Sequence, residues 1–214
     1  MSGPVPAPAR DSVEPALVVW DFDGVLNANT RDGRFVWADR LKEDLGIDPD
    51  AFARDLFGSG IARQIMRGQR DLAEYVQAWL VRNGHDRDAG EVLRYWFEKD
   101  RHLDPQMLDW AVRHAGRRVI GTNNEAHRAR FIEEEMGLAE RFEAVFASGR
   151  MGVAKPDPGF FAQIERWSAL PPQRILLIDD TAGNIAACTA RGWQGFHLTA
   201  ATRDRLPERL GLAA

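Results

Sequence analysis

The chain has 214 residues, which is enough for one large domain or for a core domain with a smaller insert, and too few for two full-size independent domains. Hydrophobic residues make up 44% and charged residues 28% of the sequence, which argues against disorder, collagen-like repeats and fibres. The net charge of −4 provides no broad basic field, and the apolar runs are far shorter than a membrane helix, so we expect neither nucleic acid nor a membrane as a partner.

The cysteine content and the first residues indicate the compartment. Cys188 is the only cysteine, which excludes an internal disulfide bond and argues against a cysteine-based zinc site. The first fifteen residues contain four prolines and no continuous apolar stretch of the kind that a secretory signal needs. We therefore expect residues 1–14 to form a disordered tail and the protein to reside in a reducing cytoplasm.

Five short segments have the uninterrupted apolar character of strands that are buried on both faces of a parallel sheet. They are Ala16–Trp20, Arg118–Gly121, Ala144–Ala147, Arg174–Ile178 and Gly195–Leu198. Helical patterns separate the last four, and we place these helices at Glu125–Met136, Phe160–Trp167 and Gly183–Arg191. This alternation predicts an α/β fold whose core is a doubly wound, Rossmann-like and mainly parallel sheet.

The stretch between the first two strands differs, because it has helical periodicity from about Phe35 to Lys99 and no convincing strand. A further helix, from Asp104-Pro105 to Ala115, leads back into the sheet. We therefore predict an all-helical cap at residues 31–100, inserted into an α/β core made of residues 15–30 and 101–214. Such a cap could cover the carboxyl ends of the strands, where open α/β sheets bind their ligands.

Two further patterns lie mainly in this helical region. Five tryptophans stand at apolar positions of predicted helices, so we assign them to the core: Trp37, Trp79, Trp96, Trp110 and Trp167. Three arginines at spacings of four and three form a basic helix face, namely Arg63, Arg67 and Arg70. This face is either a solvated surface or a set that steers an anionic leaving group.

Carboxylates follow two of the predicted strands at the point where each ends. Asp21 and Asp23 come directly after the first strand, and Gly24 behind them frees the backbone to turn. Asp179 and Asp180 end the fourth strand. If these two strands are neighbours, up to four carboxylates converge, and such a cluster repels itself unless it is protonated or neutralised by a cation. Hard oxygen ligands favour Mg²⁺ over zinc or copper.

Two other strand ends supply groups that suit a phosphoryl group. Thr122, Asn123 and Asn124 follow the second strand and offer a hydroxyl, an amide and backbone donors. Lys155 follows the third strand, immediately ahead of a helix start. A hydroxyl, backbone amides, a lysine and a divalent cation are what the charge on a transferring phosphoryl group requires.

Together these segments resemble the four motifs of the haloacid dehalogenase-like (HAD) hydrolase superfamily, in that family's order. The motifs are Asp21-Phe22-Asp23-Gly24-Val25-Leu26, Thr122-Asn123, Lys155-Pro156-Asp157 and Ile178-Asp179-Asp180-Thr181-Ala182-Gly183-Asn184. The resemblance covers roughly residues 16 to 200. It implies a phosphatase-type member with a helical cap inserted after the first motif.

The resemblance also implies a role for each matching residue. Asp21 matches the nucleophile that forms an aspartyl-phosphate intermediate, and Asp23 matches the general acid/base. Lys155 matches the lysine that neutralises both the nucleophile and the transferring group. Thr122 and Asn123 match the motif that binds the substrate phosphate.

The family's Mg²⁺ is held by the nucleophile's carboxylate, by the backbone carbonyl of the acid/base residue and by a fourth-motif aspartate. In this chain these are Asp21, Asp23 and Asp180. Asp179 would either orient these ligands or act as an occasional ligand itself, and Asn184 would help to orient them. They depart from the commoner pattern, which has a glycine before the metal-binding aspartate and an aspartate at position 184. Both variants look like those of helical-cap members that act on sugar or small organic phosphates.

The leading hypothesis is an enzyme, a Mg²⁺-dependent phosphomonoester hydrolase that acts on a small phosphorylated metabolite. A phosphomutase or phosphotransferase would pass the same phosphoryl group to a sugar hydroxyl. A metal-independent dehalogenase would use the same nucleophile, but it has no need of an acid at Asp23. A catalytically silent binding module would retain only the fold. The leaving group of the substrate and the oligomeric state stay open at this point.

Overall fold

The structure is a computed structural model that describes residues 14–31 and 34–212. Its strands are β1 Leu17–Trp20, β2 Thr30–Arg31, β3 Arg34–Phe35, β4 Arg117–Thr122, β5 Val145–Ala147, β6 Ile175–Asp179 and β7 Gln194–His197. Its α-helices are α1 Leu41–Leu45, α2 Pro49–Gly58, α3 Ile61–Ile65, α4 Leu72–Arg82, α5 Ala89–Lys99, α6 Pro105–Arg113, α7 Ala126–Glu133, α8 Ser148–Met151, α9 Pro158–Ser168, α10 Ala182–Ala190 and α11 Leu206–Arg209. Apart from Glu14, the predicted tail lies outside the described residues.

The core is a parallel sheet with the strand order β5-β4-β1-β6-β7. β1 is central, and its last residue, Trp20, lies opposite Ile120 of β4 and Ile178 of β6. The chain runs outward from β1 through β4 to β5 and then returns to the other side of β1 for β6 and β7. This reversal places a crevice beside the carboxyl end of β1. The predicted doubly wound, mainly parallel α/β core is thereby confirmed.

The predicted strands agree with the observed ones to within one residue at each end, whereas the helices differ by up to three. The largest difference is at the end of α7, which stops at Glu133. There the Met136 N–H bonds to the Phe131 carbonyl, and Gly137 follows with φ 69°. A glycine in the left-handed region ends a helix whatever the apolar periodicity beyond it.

The sheet is covered on both faces, because successive strand residues point to opposite sides. Leu17 and Val19 pack with α9 and α10 in one apolar cluster. Val18 and Trp20 belong to the other cluster, which continues without interruption into the helices between Leu41 and Lys99. One core therefore joins the sheet to the inserted helices.

The insert is helical as predicted, with one addition. Its three longest helices, α2, α4 and α5, begin at aspartates whose side chains accept backbone N–H bonds, namely Asp48, Asp71 and Asp88. Ahead of them, β2 and β3 form an antiparallel pair of two residues each. A ladder this short has no detectable period-two pattern, so the helical prediction did not include it. No helix within the described residues combines the length and apolarity that crossing a membrane requires.

Contacts between the insert and the core lie at the carboxyl edge of the sheet. The His127 imidazole, after β4, lies 2.8 Å from the Asp71 carboxylate at the start of α4. Gly68 sits so close to the core that a Cβ atom there would lie 2.1 Å from the Gly149 carbonyl oxygen. The inserted helices therefore cover the strand ends, where the candidate site residues lie.

The assignment of the tryptophans to the core is wrong at one position. Trp37, Trp79 and Trp110 are buried, and Trp96 is partly buried and stacks on Trp37 with ring centroids 4.3 Å apart. Trp167 is 40% exposed instead, near the carboxyl end of α9. The Arg117 guanidinium covers its ring at 4.6 Å, a cation–π contact that suits an aromatic side chain at the surface.

Candidate active site

Asp21 stands where the central strand opens into the crevice. Its N–H donates to the Ile178 carbonyl at 2.9 Å, which continues the hydrogen-bond ladder between β1 and β6 by one residue. Its side chain is nearly buried and accepts the Phe22 N–H at 2.7 Å. Burial raises the pKa of Asp21 well above that of an ordinary aspartate, although the ammonium of Lys155 opposes this shift.

Lys155 reaches into the same crevice from the loop before α9. Its Nζ lies 2.9 Å from Oδ1 of Asp21 and 2.6 Å from Oδ2 of Asp179, and the lysine side chain is fully buried. Burial alone would lower the pKa of Lys155, but the fields of Asp21 and Asp179 outweigh it and raise that pKa. The lysine therefore stays charged between the two carboxylates.

The Asn123 side chain holds the backbone of Lys155 in place. Its Nδ2 donates to the Lys155 carbonyl at 2.9 Å, and its Oδ1 accepts the Lys155 N–H at 2.8 Å. This pair of bonds ties the end of β4 to the lysine loop. Because the side chain is engaged in this way, a role of Asn123 in substrate binding stays a prediction, and its observed contacts are those of a support for Lys155.

The two acidic residues after β6 occupy different environments. Asp179 is fully buried and receives Asn184 Nδ2 at 3.0 and 3.1 Å as well as the Thr181 N–H at 2.9 Å. Asp180 is more exposed, and burial together with the charge of Asp179 raises the pKa of Asp180. Asp179 is thus occupied by protein donors, which leaves Asp180 as the more available ligand of the pair.

Gly24 lets the Asp180 carboxylate approach the first loop. A Cβ atom at position 24 would lie 2.3 Å from Oδ2 of Asp180, and the glycine has φ 78°. Oxygen atoms of Asp21, Asp179 and Asp180 all lie within 4.8 Å of one another. Two oxygen ligands on opposite sides of one Mg²⁺ are about 4 Å apart. The donor chemistry and the spacing of this cluster therefore fit a hard divalent cation.

Asp23 is oriented by side-chain amides. Its Oδ1 accepts Nδ2 of Asn29 at 2.8 Å and Nδ2 of Asn27 at 3.3 Å, and its Oδ2 accepts Nδ2 of Asn124 at 2.8 Å. Asn124 also donates to Oγ1 of Thr122 at 2.8 Å, which leaves the Thr122 hydroxyl proton to donate to an anion. The carboxylate of Asp23 is therefore held from both of its oxygens.

The amides around Asp23 were not assigned a role by the sequence analysis. Asn124 stands in the segment quoted for the second strand end, but its reach across to Asp23 depends on the order of the strands. Asn27 and Asn29 follow the first motif with a spacing of two, the period of an extended chain, which was the only signal for them. The residue that caps α7 is Glu125, whose carboxylate accepts the N–H groups of His127 and Arg128, so the Thr122 hydroxyl is not used for that purpose.

Comparison with known proteins yields a consistent result. Residues 15–192 match the family model described as haloacid dehalogenase-like hydrolase. A phosphoglycolate phosphatase of Nitrosococcus oceani is 23% identical over 210 residues, which covers 91% of this chain and 91% of that protein.

Solved structures of low identity share the fold. A HAD family enzyme of Bacteroides thetaiotaomicron, in complex with magnesium and inorganic phosphate, superposes with a TM-score of 0.73 at 18% identity, over 87% of this chain and 95% of that one. An L-2-haloacid dehalogenase of Xanthobacter autotrophicus superposes with a TM-score of 0.63 at 16% identity, over 94% and 84% of the two chains. Because the family model spans most of the sequence and the sheet order brings its motifs to one crevice, the chain belongs to the haloacid dehalogenase-like hydrolase family.

Proposed function

We propose that the protein is a Mg²⁺-dependent phosphomonoester hydrolase that acts on a small phosphorylated metabolite through an aspartyl-phosphate on Asp21. The observation that carries this proposal is the contact of one buried lysine with two carboxylates at the mouth of the central strand. A lysine ammonium and a cation beside a carboxylate nucleophile suit a phosphoryl group, whose charge spreads over three equatorial oxygens.

In the first half of the reaction, a carboxylate oxygen of Asp21 attacks phosphorus while the bond from phosphorus to the leaving oxygen breaks. The leaving alkoxide takes its proton from Asp23. Lys155 offsets negative charge on the nucleophile and on the phosphoryl oxygens as they approach each other, and the Thr122 hydroxyl donates to one of these oxygens. Substrate and nucleophile are both anionic, so the ammonium lowers the repulsion between them.

In the second half, Asp23 takes a proton from a water molecule whose oxygen attacks phosphorus, and the bond to the Asp21 oxygen breaks. Phosphate is released and Asp21 is restored as a carboxylate. Splitting one displacement into two makes each step easier and uses the same acid/base residue twice.

The Mg²⁺ would be held by Asp21, by the backbone carbonyl of Asp23 and by Asp180. Asp179 and Asn184 would help to orient these ligands. When bound, the ion neutralises charge on the phosphoryl oxygens. Asp179 suits a supporting role because Lys155, Asn184 and the Thr181 N–H already occupy its oxygens.

The relatives support hydrolysis of a phosphate ester in preference to dehalogenation. The Nitrosococcus relative is a phosphoglycolate phosphatase, and the Bacteroides neighbour holds magnesium and inorganic phosphate. A haloacid dehalogenase has the same fold, so the fold alone does not distinguish the two reactions, and the residues of the site must do so. Three amides orient the Asp23 carboxylate here, and dehalogenation does not need an acid at that position.

The proposal is tested by assaying the purified protein against a panel of phosphorylated metabolites and a nitrophenyl phosphate. We expect phosphate release that stops when EDTA removes the divalent cation and returns when Mg²⁺ is added in excess. Hydrolysis that persists in EDTA would contradict the metal assignment. Isomer formation from hexose phosphates without phosphate release would favour a mutase, and halide release from a haloalkanoate in EDTA would favour a dehalogenase.

The contact between Gly24 and Asp180 leads to a second prediction. Gly24→Ala is expected to raise the Mg²⁺ concentration for half-maximal activity by about tenfold or more, because the new methyl group displaces the Asp180 carboxylate. The measurement is a Mg²⁺ titration of phosphate release at saturating substrate.

A matched control separates the displaced ligand from backbone strain. Gly46 also has a positive φ, 73°, but a Cβ atom there meets nothing within 4 Å. Gly46→Ala therefore carries the same strain of about 1–2 kcal/mol without touching the site. Equal Mg²⁺ requirements in the two variants would show that Asp180 is not a ligand.

A further inference from the structure

A buried ion pair lies behind Asp23, between the core and the end of the inserted helices. Nη2 of Arg128 in α7 lies 2.7 Å from Oδ2 of Asp100, the residue after α5, and both side chains are buried. Burial raises the pKa of Asp100 to about 7, against the opposing effect of Arg128. A buried pair of this kind contributes little net stability compared with apolar side chains of the same size. Stability alone therefore does not account for this pair.

Arg128 is fixed by contacts on all sides of its guanidinium. Nη1 donates to the Phe97 carbonyl at 3.0 Å, near the end of α5. Its guanidinium carbon lies 5.7, 5.2 and 5.6 Å from the ring centroids of Phe22, Phe97 and Phe131, respectively. These contacts with a carbonyl, a carboxylate and three rings hold the guanidinium in one orientation. The guanidinium in turn fixes the position of the Asp100 carboxylate.

Asn29 connects this pair to Asp23. Its Nδ2 donates to Oδ2 of Asp100 at 3.0 Å and to Oδ1 of Asp23 at 2.8 Å, and the residue is completely buried. Oδ1 of Asn29 has no hydrogen-bond partner within residues 14–31 and 34–212, and the same is true of Oδ1 of Asp100. Within these described residues, the Asn29 side chain therefore bonds only to Asp23 and Asp100, and Asp100 in turn bonds to Arg128.

We propose that Arg128, Asp100 and Asn29 are positioning residues that orient the Asp23 carboxylate for proton transfer to the leaving group. This inference rests on the proposed function and adds residues from α7 and from the end of α5 to the machinery of the same site. Asn124 holds the other oxygen of Asp23 at 2.8 Å, and Asn27 makes a longer bond of 3.3 Å to the oxygen that Asn29 holds, so amides fix the carboxylate at both of its oxygens. A general acid must lie within hydrogen-bonding distance of the atom that it protonates, whatever its acidity. Proton transfer therefore becomes less efficient when the Asp23 carboxyl group moves away from the leaving oxygen.

The test compares two phosphate esters that differ in their need for an acid. The leaving group of an alkyl phosphate is a strongly basic alkoxide, which needs the proton of Asp23. Nitrophenolate is a much weaker base and leaves without a proton. We expect Arg128→Met and Asn29→Ala to lower kcat/KM for the alkyl ester about tenfold or more, and for the nitrophenyl ester less than about threefold. This parameter covers the steps up to departure of the leaving group, so it reports on the acid.

A double-mutant comparison distinguishes positioning from a structural role. In an Asp23→Asn background, Arg128→Met should change kcat/KM for the alkyl ester by less than about twofold, because the group on which it acts is already lost. Arg191→Met is the control for loss of an ion pair, since Arg191 is partly exposed and pairs with Glu165 at 2.6 Å without a link to Asp23. It should affect both esters equally.

The outcomes separate this inference from the function on which it rests. Losses of equal size on the two esters, or an undiminished loss in the Asp23→Asn background, would overturn the positioning role alone. Failure of the wild-type protein to hydrolyse either ester with Mg²⁺ would overturn the proposed function and this inference with it. If Arg128→Met does not fold, Asn29→Ala, which removes the amide that links Asp100 to Asp23, carries the same comparison.

Discussion

Asp21→Asn is expected to lower phosphate release by at least about 10⁴-fold while the protein stays folded. The amide of asparagine matches the carboxylate in shape but does not provide the nucleophile that the proposed aspartyl-phosphate route requires. The fold should tolerate the change, because burial already raises the pKa of Asp21 and so disfavours its charged form. A neutral group in that place also removes one of three mutually repelling carboxylates.

The measurement is the rate of phosphate release together with the thermal midpoint of unfolding. Asp88→Asn in the cap is the matched control, because it removes a carboxylate at the exposed start of α5, where asparagine caps equally well. An Asp21→Asn variant with near wild-type turnover would exclude the aspartyl-phosphate route. An inactive variant that has also unfolded would instead show that the carboxylate is needed for the structure.

The parts of the site that could be predicted from the sequence are those whose position follows from strand ends. Asp21 and Asp180 follow their strands directly, Lys155 follows β5 after the single-turn helix α8, and carboxyl ends of parallel strands meet at one edge. Their convergence therefore needs only the order of the strands. The short contact between Lys155 and Asp179 belongs to the same class, since the two come from the loop before α9 and from the end of β6.

The parts that could not be predicted depend on side-chain contacts between segments far apart in the chain. The bond from Asn29 to Asp100 spans 71 residues and that from Asn124 to Asp23 spans 101, and no periodicity encodes such distances. The sequence also does not show in which direction an amide side chain points. Asn123 has the residue type of a substrate-binding group, yet its amide faces the backbone of Lys155. Hydrogen-bonding capacity is a property of the sequence, but the partner is set by the fold.

Lys155→Met is expected to abolish turnover and to lower the free energy of unfolding by about 3–5 kcal/mol near neutral pH. The lysine is fully buried, with Asp21 at 2.9 Å and Asp179 at 2.6 Å, so its removal leaves two buried carboxylates without a counter-charge. Methionine fills much of the volume, which keeps the effect electrostatic. The measurement is urea unfolding in EDTA, because a bound cation would replace part of the missing charge.

The pH dependence of this loss identifies its cause. The Lys155 ammonium lowers the pKa of Asp21, so that pKa rises further in the variant. A carboxyl group with a higher pKa in the folded than in the unfolded state binds more protons when folded, and stability then falls as pH rises above the unfolded value of about 3.9. The deficit of Lys155→Met should therefore be smaller near pH 5 than near pH 7.5. Lys42→Met, which removes an exposed lysine 3.9 Å from Asp48, should leave the free energy of unfolding nearly unchanged at either pH. A deficit of equal size at both pH values would mean that lost packing, and not unpaired charge, destabilises the variant.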